Sequence, residues 1–213
     1  MKMRRWVLGM ILSLLASISV GADLAGKFDY YVLSLSWSPN WCDRSGIAQG
    51  SEQCTSDRDL GWILHGLWPQ FEAGWPSYCE TAFEAPNDQQ TSEMVDIMGS
   101  EGLARYEWDK HGTCSGLDSA QYFKTSRNAY GSVVRPLETQ NPEEMVRISA
   151  NRVEAEFLRV NPHLKADQVT VTCTSNQIQE VRICLTKELR PRDCGADVIR
   201  DCTLKNAVFH PIP

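Results

Sequence analysis

The stretch Glu107-Trp108-Asp109-Lys110-His111-Gly112-Thr113-Cys114 gathers three proton-handling side chains within five residues. Read as a helical turn, it sets Glu107, Lys110 and His111 at i, i+3 and i+4, so the three share a face. Gly112 then reads as the helix stop, because a left-handed residue after the last turn costs glycine little. A carboxylate, an ammonium and an imidazole side by side form an acid–base set in which the anion tunes the imidazole. The same spacing also describes a solvated helix face with an ordinary charge pair. A second histidine sits in the apolar run Trp62-Ile63-Leu64-His65-Gly66-Leu67-Trp68-Pro69, and it meets His111 only if the fold brings a strand against a helix. Two imidazoles beside one phosphorus divide phosphoryl transfer: one takes the proton of the attacking hydroxyl, the other protonates the leaving oxygen. Charge grows on the non-bridging oxygens, where Lys110 would stabilise it, while Glu107 would hold an imidazolium or share a proton with the phosphate. RNA carries its own nucleophile, the 2′-hydroxyl, so such a site needs no metal and no cofactor, and DNA would be inert.

The elements that must position these groups follow from periodicity. Tyr31, Leu33, Leu35 and Trp37 alternate with Tyr30, Val32, Ser34 and Ser36, the mark of a half-buried strand, ended by Ser38-Pro39-Asn40. Cys42 to Arg58 reads as a tied-down loop or short helix. Trp62 to Trp68 is apolar on both faces, which suits a central strand that Pro69 ends. Gln70 to Pro86 is a long loop carrying Trp75, Tyr78 and Cys79, and Thr91 to Met98 a short helix before Gly99. Asp118 or Ser119 caps a further helix. Asn141-Pro142-Glu143-Glu144 reads as a helix start, with a cap, a first-turn proline and a glutamate at the third position. Helical spacing continues from Asn151 to Val160, and Gln168–Cys173 and Gln177–Leu185 read as strands joined by Thr174-Ser175-Asn176. The fold class is α+β: one domain in which strands from both ends of the chain make a central antiparallel sheet flanked by helices.

Lys2, Arg4 and Arg5 precede an apolar run from Trp6 to about Val20, with small residues to Ala22. Residues 1–22 therefore read as a cleaved signal peptide and residues 23–213 as one exported domain, periplasmic or secreted. Cleavage would take the formal charge from −6 to −9, a balance that excludes a stoichiometric nucleic-acid coat but not brief grip on a polyanion at a local basic site. All eight cysteines follow the leader, and an even count in an exported chain means disulfides before metal or thiol chemistry. Spacing alone leaves all 105 connectivities open. The absence of an Asn-x-Ser/Thr sequon favours a bacterial source.

His65-Gly66-Leu67-Trp68-Pro69 and Glu107 to Cys114 together resemble the two active-site segments of the T2 family of secreted endoribonucleases. Weaker similarity extends to Tyr30–Trp37, to the helix ending in Asn161-Pro162 and to the late Cys-rich strands. The resemblance implies metal-independent cleavage of single-stranded RNA through a 2′,3′-cyclic phosphate with little base preference. It makes His111 the base and His65 the acid, with Glu107 and Lys110 stabilising the pentacovalent phosphate. Trp68 matches the family's base-stacking tryptophan, Trp75 would form the opposite wall and Gln70 an edge contact; some relatives carry aspartate at Gln70. Where many members have a further phosphate-binding histidine, this chain has Tyr106, which donates a hydrogen bond without adding charge. The family pattern also implies Cys79–Cys114. Late in the chain Cys184–Cys194 nested inside Cys173–Cys202 is expected, although the sequence allows the two to cross, and Cys42–Cys54 is then left over. The chain is expected to act as a monomer on RNA alone.

Two other readings stay open on the sequence. One is a disulfide-stabilised secreted binding protein that keeps the fold without turnover. The other is a metallohydrolase using His65, His111 and Glu107, against which the intervening Lys110 would repel a cation. Trp62 and Trp108 read as core, His163 as a surface residue at a helix exit, and His210 as part of an exposed tail.

Overall fold

The computed structural model describes residues 23–55, 59–136 and 143–212, so the expected leader and the pair Asn141-Pro142 lie outside the described residues. The first strand, β1 (Tyr30–Trp37), sends alternate residues to two faces as its sequence dictates, but both faces are buried where a half-buried strand was expected. Tyr31, Leu33, Leu35 and Trp37 enter the main core, and Tyr30 and Val32 enter a small cluster on the opposite face. The other strands are β2 (Trp62–Gln70), β3 (Val146–Ile148), β4 (Val169–Thr174), β5 (Gln177–Leu185) and β6 (Ala207–Phe209). They form one sheet in the order β2-β1-β5-β6-β3, with β4 also on β5. Its pairings are antiparallel except where Gln177 of β5 lies parallel to Val208 of β6. Ser175 and Asn176 turn β4 into β5 with φ of 48° and 62°, the left-handed pair a tight hairpin needs.

The helices are α1 (Ser38–Trp41), α2 (Glu52–Thr55), α3 (Asp88–Ser92), α4 (Val95–Met98), α5 (Glu101–Lys110), α6 (Ser119–Gly131) and α7 (Ala150–Val160). Side-chain caps explain where the longer ones begin. Ser100 accepts from Leu103 N at 3.1 Å, Asp118 from Gln121 N at 2.8 Å and Ser149 from Arg152 N at 3.2 Å. Ala104 and Trp108 of α5, Tyr122 and Phe123 of α6, and Val153 and Phe157 of α7 pack with Leu33, Leu35 and Leu64 in one core. Trp62 and Trp108 are buried in that core, and burial of side chains this size contributes about 2–3 kcal/mol each, which places both indoles in the framework. Disulfides join Cys42 to Cys54, Cys79 to Cys114, Cys173 to Cys202 and Cys184 to Cys194.

Several expectations are corrected. β2 is an edge strand, apolar on both faces because helices cover one side and the site occupies the other. It runs past Pro69 to Gln70, since a proline on an edge removes no ladder bond. Ser38-Pro39-Asn40 opens α1 rather than only ending β1, with proline in the first turn where its missing N–H costs nothing. The expected helix from Thr91 to Met98 is two short ones, and Gly99 closes the second with φ 85°. Glu143 and Glu144 start no helix. Val146 and Ile148 instead pair with Phe209 and Ala207, and the helix waits for the better cap at Ser149. His210 is not a tail residue: its N–H donates to Asn40 Oδ1 at 2.8 Å, its carbonyl accepts from the Trp37 indole at 2.9 Å, and its ring lies 3.3 Å from Asp43. His163 is exposed.

Candidate active site

A β-bulge falls at His65. On β1, Ser34 pairs with Gly66 and Leu35 with Leu64, so His65 is the extra residue left without a partner. Alternation from core-facing Leu64 turns the imidazole away from the core. The extra residue resets the phase, so that Leu67 faces the core again while Gly66 and Trp68 share the site side with His65. Its ring stays 30 % exposed, with Nδ1 2.6 Å from Glu180 Oε1 and Nε2 3.6 Å from Glu107 Oε1.

Gly66 has to be glycine because Glu107 comes down upon it. An added Cβ would overlap Glu107 Oε2 and the Trp68 indole nitrogen. That nitrogen donates to Glu107 Oε2 at 2.7 Å, fixing a carboxylate that is otherwise buried. Burial raises the Glu107 pKa to about 7 against the pull of His65, Trp68 and Lys110. The Trp68 ring then receives both imidazoles, His65 edge-on with centroids 5.3 Å apart and His111 stacked at 5.2 Å and 26°. The Arg182 guanidinium lies over the same indole at 5.2 Å.

His111 caps the end of α5, its own N–H donating to Glu107 O at 3.0 Å. The helix stops there, and Gly112 starts a 3-10 turn through Cys114 instead of taking the expected left-handed cap. Gly112 is required for a different reason: a Cβ would run into the rings of Trp108 and Tyr122. The His111 ring is buried and, among the described residues, its Nδ1 has no hydrogen-bond partner. Burial lowers its pKa to about 3, helped by Lys110 and His65, so it is a neutral base. Lys110 is half-buried and donates to the Tyr106 hydroxyl at 3.1 Å. The Cys79–Cys114 bridge and a bond from Tyr78 N to Lys110 O at 2.9 Å fasten the long loop to this helix end.

A cavity of about 300 Å³ collects these groups: His65, Glu107, Lys110 and His111, together with Trp68, Gln70, Trp75 and Tyr106. All eight residues singled out in the sequence line it, although Gln70 is buried at its base and Trp75, 58 % exposed, stands at its rim. Among the described residues no three His, Cys, Asp or Glu side chains converge as a metal-binding group. The sequence model of the Ribonuclease T2 family matches residues 28–194, and that span contains every residue just named. The chain belongs to the Ribonuclease T2 family.

Relatives agree with that assignment. A ribonuclease of Aeromonas hydrophila is 44 % identical over 117 residues, 54 % of this chain and 52 % of that protein. A probable ribonuclease of Haemophilus influenzae is 30 % identical over 138 residues, covering 59 % and 51 %. The chain thus spans about half the length of these curated relatives. An RNase-related protein from Calystegia sepium superposes with a TM-score of 0.69 at 21 % identity, over 87 % of this chain and 98 % of that one. RNase NT in complex with 5′-AMP superposes with a TM-score of 0.66 at 21 % identity, over 86 % and 98 %. These two likenesses establish the T2 fold.

Sequence reasoning missed two residues of this T2 site. Glu180 of β5 is fully buried, and Arg182 donates to its Oε2 through Nε at 2.8 Å. Both lie on the site's face of β5, Glu180 opposite Ser36 and Arg182 opposite Ser34 of β1. The signal was present: two opposite charges at i and i+2 inside the apolar run Ile178 to Leu185, where charges are buried only in pairs.

Proposed function

We propose that this chain is a metal-independent endoribonuclease that cleaves single-stranded RNA by transphosphorylation. The observation that carries the reading is one cavity holding two imidazoles whose surroundings push their proton affinities apart, His111 down by burial and His65 up by the carboxylates beside it. Neutral His111 takes the proton from the 2′-hydroxyl, the 2′-oxygen bonds to phosphorus, and the bond from phosphorus to the 5′-oxygen breaks. His65 gives its proton to that leaving oxygen, and a 2′,3′-cyclic phosphate remains. Lys110 offsets charge on the non-bridging oxygens, and Glu107, near half-protonation at neutral pH, is able to share a proton with them. When water later opens the cyclic phosphate, the two histidines exchange roles.

Trp75 and the outer edge of Trp68 supply aromatic surface that accepts any base, with Gln70 at the cavity floor as the edge contact. A second cavity of about 440 Å³ adjoins the first, sharing His65, Tyr106, Gln179 and Glu180 in its wall. A strand crossing His65 would thus find room for a nucleotide in each cavity. Four disulfides suit the oxidising compartment that the leader implies, and we take the exported monomer, residues 23–213, as the active form. The test is an RNA dinucleotide incubated with that form in excess chelator. Cyclic-phosphate product supports the reading; product that appears only with added metal favours a metallohydrolase, and none under either condition favours a binding protein.

A further inference from the structure

We propose that Glu180 is a positioning residue that holds His65 in the state able to donate a proton, with Nδ1–H on the carboxylate and Nε2–H toward the leaving oxygen. The inference rests on the ribonuclease reading above and adds to it a residue on the central strand, outside both motifs. The contact is short, 2.6 Å from His65 Nδ1 to Glu180 Oε1, within the range of a charge-assisted bond. Among the described residues no other hydrogen bond is made to Nδ1: the nearer oxygen of Glu107 lies 3.6 Å from the other ring nitrogen, too far for a hydrogen bond. Glu180 is in turn fixed, because Arg182 reaches its second oxygen through two nitrogens at 2.8 and 2.7 Å. A buried carboxylate held this way on a sheet strand has one orientation, and so does the imidazole it grips.

The charged and titratable groups around the ring act in a consistent direction. Burial alone would lower the His65 pKa, but the bond to Glu180 and the charges of Glu107 and Glu180 outweigh it, Arg182 opposing, and the net shift is upward. Burial would likewise raise Glu180, yet its bond to His65 and the two cations, His65 and Arg182, hold it down to about 2. From α5 the ring also faces Lys110 and His111, and neither cancels the pair of carboxylates. Glu180 therefore stays an anion throughout the reaction. The proton that leaves is the one on His65 Nε2, and after the transfer a neutral imidazole keeps its Nδ1–H on Glu180.

Glu180→Gln tests this, because the amide preserves shape while removing the charge. Two substrates are compared: an RNA dinucleotide, whose alkoxide needs a proton to leave, and the 4-nitrophenyl ester of uridine 3′-phosphate, whose phenolate leaves without one. The expected result is a roughly 100-fold loss in kcat on the dinucleotide, the lower end of what a positioned acid supplies, with less than about 3-fold loss on the ester. The alkaline limb of the dinucleotide pH profile should also move to lower pH. Equal losses on both substrates with an unmoved limb would overturn the proposal and leave Glu180 a purely structural ion pair. A second measurement needs no variant: NMR titration of wild-type His65 should give a pKa above the ordinary 6.5 with Nδ1 protonated throughout, and a value at or below that overturns the proposal too. If the wild-type protein turned over neither substrate, the ribonuclease reading would fall, and this titration would still decide the role of Glu180.

Discussion

Gly66 lies so close beneath Glu107 that a single methyl group on its Cα would overlap the carboxylate and the indole nitrogen that binds it. The φ of Gly66 is not left-handed, so an alanine there strains no backbone; space is the whole penalty. Gly66→Ala should push Glu107 off the Trp68 indole, costing about 1–3 kcal/mol of stability as an overpacked site does, and at least 100-fold in kcat on an RNA dinucleotide. Wild-type kcat in a folded Gly66→Ala protein would show that the bond between Trp68 and Glu107 is dispensable.

The pH dependence follows from the two imidazoles. A base works when unprotonated, and His111, held down to about 3, is ready over nearly the whole range. An acid works when protonated, and His65, held above its ordinary value, keeps its proton to higher pH than a free imidazole does. Activity on dinucleotides should therefore form a plateau between about pH 4 and 6 and decline above about 7, where Glu107 also loses its proton. His111→Gln should lower the plateau by 100- to 10,000-fold. An acid limb centred near pH 6 would mean that His111 titrates like an ordinary histidine and is not shielded as its burial implies.

The parts of this site carried by local pattern were legible in the sequence. Glu107 and Lys110 lie in the last turn of α5 with His111 as its C-cap, close to what their spacing suggests, and the alternation in β1 separates its two faces. What escaped depends on contacts distant in the chain. The bulge at His65 arises only when β1 is laid against β2, and no period in either strand announces it. Glu180 breaks the apolar run of β5, and its use is set by His65, 115 residues away. The position of Gly112 suggests a cap, whereas the rings of Trp108 and Tyr122 set its identity. The strand at Val146 overrode a helix signal because its partner, β6, lies near the far end of the chain.

Tyr106 anchors Lys110, its hydroxyl accepting from Nζ at 3.1 Å and its ring centroid 5.4 Å from the same atom. Tyr106→Phe removes the acceptor and leaves the ring. A hydrogen bond of this kind is worth about 1 kcal/mol net, so kcat/KM should fall about 3- to 10-fold through a looser lysine. The positions of both pH limbs should stay where they are, since the variant touches neither imidazole. A shift of either limb in Tyr106→Phe would mean that the tyrosine acts on a proton-transfer group directly.

Glu107 should be an example of a residue that costs stability in exchange for function. Its pKa rises from an ordinary 4.5 to about 7, so the folded chain holds this proton more tightly than the unfolded chain does. The fold therefore gains nothing from Glu107 at high pH: stability falls as pH rises from about 4.5 to about 7, by up to about 3 kcal/mol for one such group. Glu107→Gln has no proton to lose and still offers an oxygen to the Trp68 indole. The variant should match the wild type at pH 4, exceed it by about 1–3 kcal/mol at pH 8, and lose at least 100-fold in kcat. Urea unfolding at the two pH values checks the first pair of claims, and dinucleotide cleavage the third. A variant less stable than wild type at pH 8 would mean that attraction to His65 and Lys110 outweighs the burial of the carboxylate, and that the ionised form is the one the fold is built around.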